Sequence, residues 1–135
     1  MSSPPQTMSM AFAAAPRAAG EARAFTASVL GAWDLSHLVE TAELLVSELI
    51  TNAVKHAGAD IPPVILAITC ADALLVQVWD ASDVPAVHRQ VADDDVDGRG
   101  IGLVDALSKE WGCDVLDTGG KIVWFAIDLD VRDDG

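Results

Sequence analysis

The run Glu48-Leu49-Ile50-Thr51-Asn52-Ala53-Val54-Lys55-His56-Ala57-Gly58 decides the fold, and it closes a periodic segment that begins near Ser36. At about 100° per residue, Ala42, Leu45, Val46, Leu49, Ala53 and Ala57 share one arc, which Ile50 and Val54 widen. Thr41, Glu48, Asn52 and Lys55 fall on a narrow polar strip beside it. A helix this apolar is mostly buried, yet its edge carries a carboxylate and a carboxamide one turn apart. Lys55 and His56 stand in the last turn, where cations suit the helix dipole, and Gly58 is a natural residue to follow the end. Glu48 and Asn52 have two readings. One is a solvated helix edge. The other is a metal-and-base pair: Asn offers a neutral oxygen to a hard cation such as Mg²⁺, and a Glu one turn away can orient or deprotonate a nucleophile.

The remaining composition narrows the classes. A chain of 135 residues is one domain with room for a core. With 51 % hydrophobic and 21 % charged residues it reads as globular. A net charge of −13 argues against direct nucleic-acid binding and against anionic membrane surfaces, and it would favour a basic protein partner. Cys70 and Cys113, both in apolar strand-like runs, read as buried reduced thiols. No run reaches the roughly 20 apolar residues of a membrane span, and residues 11–15 lack the features of a signal peptide. The expectation is a cytoplasmic protein.

Along the chain, residues 1–10 read as a disordered tail, and Phe12 opens a short edge strand. Pro16 suits the first turn of a helix running to Leu30, striped by Phe25, Val29 and Leu30 and closed by Gly31. Asp34 or Ser36 would cap the next helix. Pro62-Pro63 stops that helix, and the runs 64–70 and 74–79 form a hairpin. Residues 80–98 read as loop and 102–107 as a short helix. The strands 111–116 and 121–129 join through Thr118-Gly119-Gly120. Trp79, Trp111 and Trp124 are expected in core packing. The domain spans 11–130, and 131–135 is a second tail. The architecture implied is an α/β (α+β) two-layer sandwich with a mixed, largely antiparallel sheet and helices on one face.

Two local patterns mislead. Asp93, Asp95, Asp97 and Gly98 open like a calcium loop, but Val104 stands where the bidentate Glu belongs. Gly98, Gly100 and Gly102 have neither the Rossmann nor the Walker spacing. Those glycines, ahead of a helix and beside Arg99, still suit an anionic phosphate, through exposed backbone N–H groups and a helix dipole. Asp80 at a strand end is either a turn former or an acceptor for an exocyclic amine such as that of adenine. Ser82 and Pro85 shape the turn after it.

Taken together, these pieces resemble the GHKL ATPases. Val46-Ser47-Glu48-Leu49-Ile50-Thr51-Asn52-Ala53-Val54-Lys55-His56-Ala57 resembles their N box, and Val78-Trp79-Asp80-Ala81-Ser82-Asp83-Val84-Pro85 a Ser/Pro variant of the first glycine box. Gly98-Arg99-Gly100-Ile101-Gly102-Leu103 resembles the second glycine box, and Gly120-Lys121-Ile122-Val123-Trp124-Phe125 the last strand. Within that family the chain is similar to histidine-kinase-like ATP-binding regulators of actinobacteria, relatives of the anti-sigma factor serine/threonine kinases. The resemblance implies a Bergerat-type site for ATP and Mg²⁺. Asn52 would hold the metal, Glu48 would act as base or water orienter, and Asp80 would contact the adenine amine. Gly100 and Gly102 would let a lid close over the phosphates, and Lys55, Ser82, Arg99 and Ile101 complete the implied nucleotide contacts. The chain departs from the pattern at Ser82, where Gly is usual, and at Ile122, matched to a Thr near the adenine. The implied partners are a sigma factor and an anti-sigma factor antagonist, with a homodimer possible. A sequence of this kind also fits a non-catalytic protein-binding regulator with a degenerate or structural ATP site. A sensor histidine kinase fragment does not fit, because the long helix with a phosphoacceptor His is missing.

Overall fold

The periodic segment folds as read. In the computed structural model, which describes residues 5–55, 62–82 and 108–130, helix α2 spans Val39–Lys55 and buries Ala42, Leu45, Val46, Leu49, Ile50 and Ala53. Helix α1, Ala18–Ala32, lies against it and buries Ala18, Ala22, Thr26, Val29 and Leu30. Thr26 sits in this apolar stripe because its Oγ1 donates to the Ala22 carbonyl at 2.8 Å, which removes the cost of an unmet hydroxyl.

The two helices cover one face of a five-stranded sheet in the order β1-β2-β3-β5-β4. The strands are β1 (Gln6–Phe12), β2 (Val64–Cys70), β3 (Leu74–Asp80), β4 (Glu110–Val115) and β5 (Lys121–Ile127). Helices on one face of a sheet are the expected two-layer sandwich, with all four described pairings antiparallel rather than mixed. Alternation along the strands assigns the faces. On β3, Leu74, Val76, Val78 and Asp80 face the helices, opposite Ile127, Phe125, Val123 and Lys121 of β5. The core thus ends in a charged pair at one end of these two central strands.

Several expectations need correction. Residues 6–10, expected in the tail, belong to β1, which pairs with β2 from Gln6↔Cys70 to Phe12↔Val64. As an edge strand, β1 buries only Phe12, so it needs no apolar composition to be held. Its backbone ladder and the Thr7 Oγ1 to Thr69 Oγ1 hydrogen bond at 2.9 Å do the work. Trp79 and Trp124 lie on the face away from the helices, whereas Trp111 packs against the core. Trp124 lies over Gly112, where a Cβ would come within 2.8 Å of its indole. Cys70 and Cys113 form no disulfide, as expected, but are half-buried rather than enclosed. The calcium-like cluster, the lid glycines, the short helix 102–107, His56, Gly58, His88 and the tails 1–4 and 131–135 lie outside the described residues.

The connection between the helices is closed by a residue other than the one expected. Gly31 lies inside α1, and Asp34 takes the left-handed conformation at φ 61°. The Leu35 amide donates to the Leu30 carbonyl at 2.8 Å and the Asp34 amide to that of Gly31 at 3.2 Å, a Schellman closure built on Asp. A 3₁₀ turn, Ser36–Leu38, follows without a side-chain cap, so neither Asp34 nor Ser36 caps it. His37, in this turn, bonds through Nε2 with the Leu129 carbonyl at 2.6 Å. Asp34→Gly is expected to stabilise the domain by roughly 0.5–1 kcal/mol, because glycine adopts this conformation without the Cβ penalty. A higher urea midpoint with an unchanged slope would confirm it, and a lower one would refute it.

Candidate functional site

Asp80 is the last residue of β3 and is 3 % exposed. Antiparallel register sets it opposite Lys121, the first residue of β5, which is 0 % exposed. The Lys121 ammonium donates to Asp80 Oδ1 at 3.0 Å, and the Ser82 backbone N–H donates to the same oxygen at 2.8 Å. Asp80 Oδ2 is also buried and meets no hydrogen-bond partner among the described residues. A buried carboxylate oxygen without a donor is rare and costly, so this oxygen is suited to receive one from outside the protein.

Gly120 allows this approach. At φ +83° it occupies backbone space that disfavours other residues, and a Cβ there would sit 2.4 Å from the Asp80 carbonyl and 2.8 Å from Trp79 Nε1. Only a residue without a side chain lets β5 begin this close to the end of β3. Gly120→Ala is expected to cost roughly 2–3 kcal/mol, the sum of a strained φ and an overpacked contact. Thermal unfolding would read the loss, and a variant as stable as the parent would contradict this account.

Glu48 and Asn52 lie on α2 one turn apart, both half-buried, with the Asn52 Nδ2 enclosed. Lys55 is exposed at the end of the helix. The chain leaves α2 just past these residues and enters β2 at Val64, at the end of the sheet where Ile65 pairs with Trp79 and Asp80 follows. The structure therefore brings Asp80 and Ser82 into direct contact and sets Glu48, Asn52 and Lys55 along one helix. Arg99, Gly100, Ile101 and Gly102 lie outside the described residues.

One residue was missed, and one was misplaced. Ile122 pairs with Trp79 and so faces away from Asp80. The residue that faces Asp80 is Lys121. The signal for it was available: in Lys121-Ile122-Val123-Trp124-Phe125-Ala126-Ile127 a period of two puts the lysine on the face of Val123, Phe125 and Ile127. A lysine on a core face needs a carboxylate, and Asp80 ends the neighbouring strand.

The sequence matches the histidine kinase-like ATPase domain family over residues 12–127, and the chain belongs to that family. No curated protein matches it. Membership implies an ATP-binding fold, typically used with Mg²⁺, and the donor set fits. Asp80 Oδ2 is a buried acceptor for an amine, while Asn52 and Glu48 offer oxygens to a hard cation and a water. Among the described residues no helix is long and apolar enough to cross a membrane.

Proposed function

We propose that this domain is a cytoplasmic ATP-dependent regulator: an anti-sigma factor that also acts as a serine/threonine kinase toward an anti-sigma factor antagonist. One observation carries the nucleotide reading, the buried Asp80 oxygen that meets no donor among the described residues, at the sheet end of a histidine kinase-like ATPase domain. In this reading Asp80 accepts from the adenine amine, with Ser82 fixing the turn behind it. Asn52 holds Mg²⁺, and Lys55, Arg99, Gly100, Ile101 and Gly102 attend the phosphates. The metal supplies charge neutralisation when bound. Glu48 accepts the proton of the attacking Ser or Thr hydroxyl.

The sigma factor and the antagonist are partners of this proposal, and a net charge of −13 supports protein rather than nucleic-acid contacts. Calorimetric titration with Mg-ATP, followed by incubation with candidate antagonists, tests it. Saturable binding and protein-bound phosphate on a Ser or Thr are expected. A chain that binds no ATP, or binds it and phosphorylates no cognate partner, would remove the kinase reading.

A further inference from the structure

We propose that Lys121 orients the acceptor that reads the base: together with the Ser82 amide it occupies Asp80 Oδ1 and leaves Oδ2 for the ligand, where an acceptor favours purines with an amine rather than a keto oxygen at the 6-position. This rests on the reading of the Asp80 end as the nucleotide site. Two donors converge on one oxygen, Lys121 Nζ at 3.0 Å and the Ser82 N–H at 2.8 Å, while the other oxygen has none among the described residues. The ammonium is 0 % exposed and cannot swing into water. Gly120 holds the backbone of β5 against the Asp80 carbonyl, which fixes where the lysine stem begins.

With a carboxylate the orientation leaves no chemical trace, because both oxygens accept. A carboxamide exposes it. In Asp80→Asn, two donors still point at the Oδ1 position, so the carbonyl must stay there and the NH₂ must take the place of Oδ2. The ligand then meets a donor. The adenine amine loses its acceptor, and the keto oxygen of hypoxanthine gains a partner.

The experiment compares the parent, Asp80→Asn and Asp80→Asn/Lys121→Met by titration with Mg-ATP and Mg-ITP, with thermal unfolding to verify folding. The parent should favour ATP. Asp80→Asn should favour ITP, a swing in the affinity ratio of roughly 10–100-fold for one misplaced polar contact. In the double variant the charge-assisted bond on the carbonyl is gone, so the carboxamide can turn and the ratio should move back toward ATP by about tenfold. Asp80→Asn keeping the parent's preference would overturn the proposal, as would identical ratios in the two variants. Should Asp80→Asn alone not fold, the double variant decides: ATP and ITP bound within about tenfold of each other supports the role of Lys121. A strong ITP preference there would mean that the Ser82 amide suffices, and would overturn it. A parent that binds neither nucleotide would fail differently, removing the nucleotide site itself.

Discussion

Lys121→Ala should destabilise the domain by roughly 3–5 kcal/mol, the cost of leaving one member of a buried ion pair without its partner. For a domain of this size that is a large part of an expected total of about 5–15 kcal/mol. Lys121 is 0 % exposed and Asp80 3 %. Without the ammonium, the Asp80 carboxylate retains only the Ser82 amide among its described donors. The stem contributes too, since its methylenes stand in the row of Val123, Phe125 and Ile127 that faces the helices. Two effects must be separated, charge and volume. Asp80→Asn/Lys121→Met removes both charges and keeps the stem, and it should lie within about 1 kcal/mol of the parent, because a buried pair replaced as a unit is often neutral. Urea unfolding of the three proteins gives the comparison. A Lys121→Ala loss below about 1 kcal/mol would mean that water or rearrangement supports Asp80, and the site described above would not be rigid.

The sequence exposes what depends on period and punctuation, and hides what depends on register. Strand β2 is read to the residue at Val64–Cys70, and α2 and the turn at Thr118-Gly119-Gly120 follow from patterns written within single segments. Asp80 and Ser82 were legible because a carboxylate closing an apolar strand is a local anomaly, and they do meet at 2.8 Å. Lys121 was not, since its meaning comes from a partner 41 positions away. That partner is fixed only once β3 and β5 are known to be neighbours and in which register. A shift of one residue would put Ile122 on that face instead, which is the placement the family pattern first suggested. Strand β1 was missed for a related reason. An edge strand is stabilised by backbone pairing with β2, and such pairing leaves little mark on composition when six of its seven residues are exposed.

Glu48→Ala should separate binding from chemistry. The expected result is a fall of roughly 10²–10⁴-fold in phosphoryl transfer from Mg-ATP, the usual contribution of a positioned general base, with nucleotide affinity changed by less than about threefold. Glu48 is half-buried on the edge of α2, outside the apolar stripe that anchors the helix, so its removal opens no core cavity. Alanine is also the best helix former, and α2 should remain intact. Asn52, one turn on, is the contrast. As the proposed metal holder it supports the ground state as well as the transition state, so Asn52→Ala should weaken Mg-dependent nucleotide binding first, and transfer through it. The two variants therefore predict opposite patterns: full occupancy without turnover for Glu48→Ala, and reduced occupancy for Asn52→Ala. Calorimetric titration alongside a phosphate-transfer assay reads both. If Glu48→Ala lost ATP binding while transfer per bound nucleotide held steady, Glu48 would belong to the metal or to the helix edge. The proton would then leave by another route, and the division of labour proposed for the i, i+4 pair would be wrong.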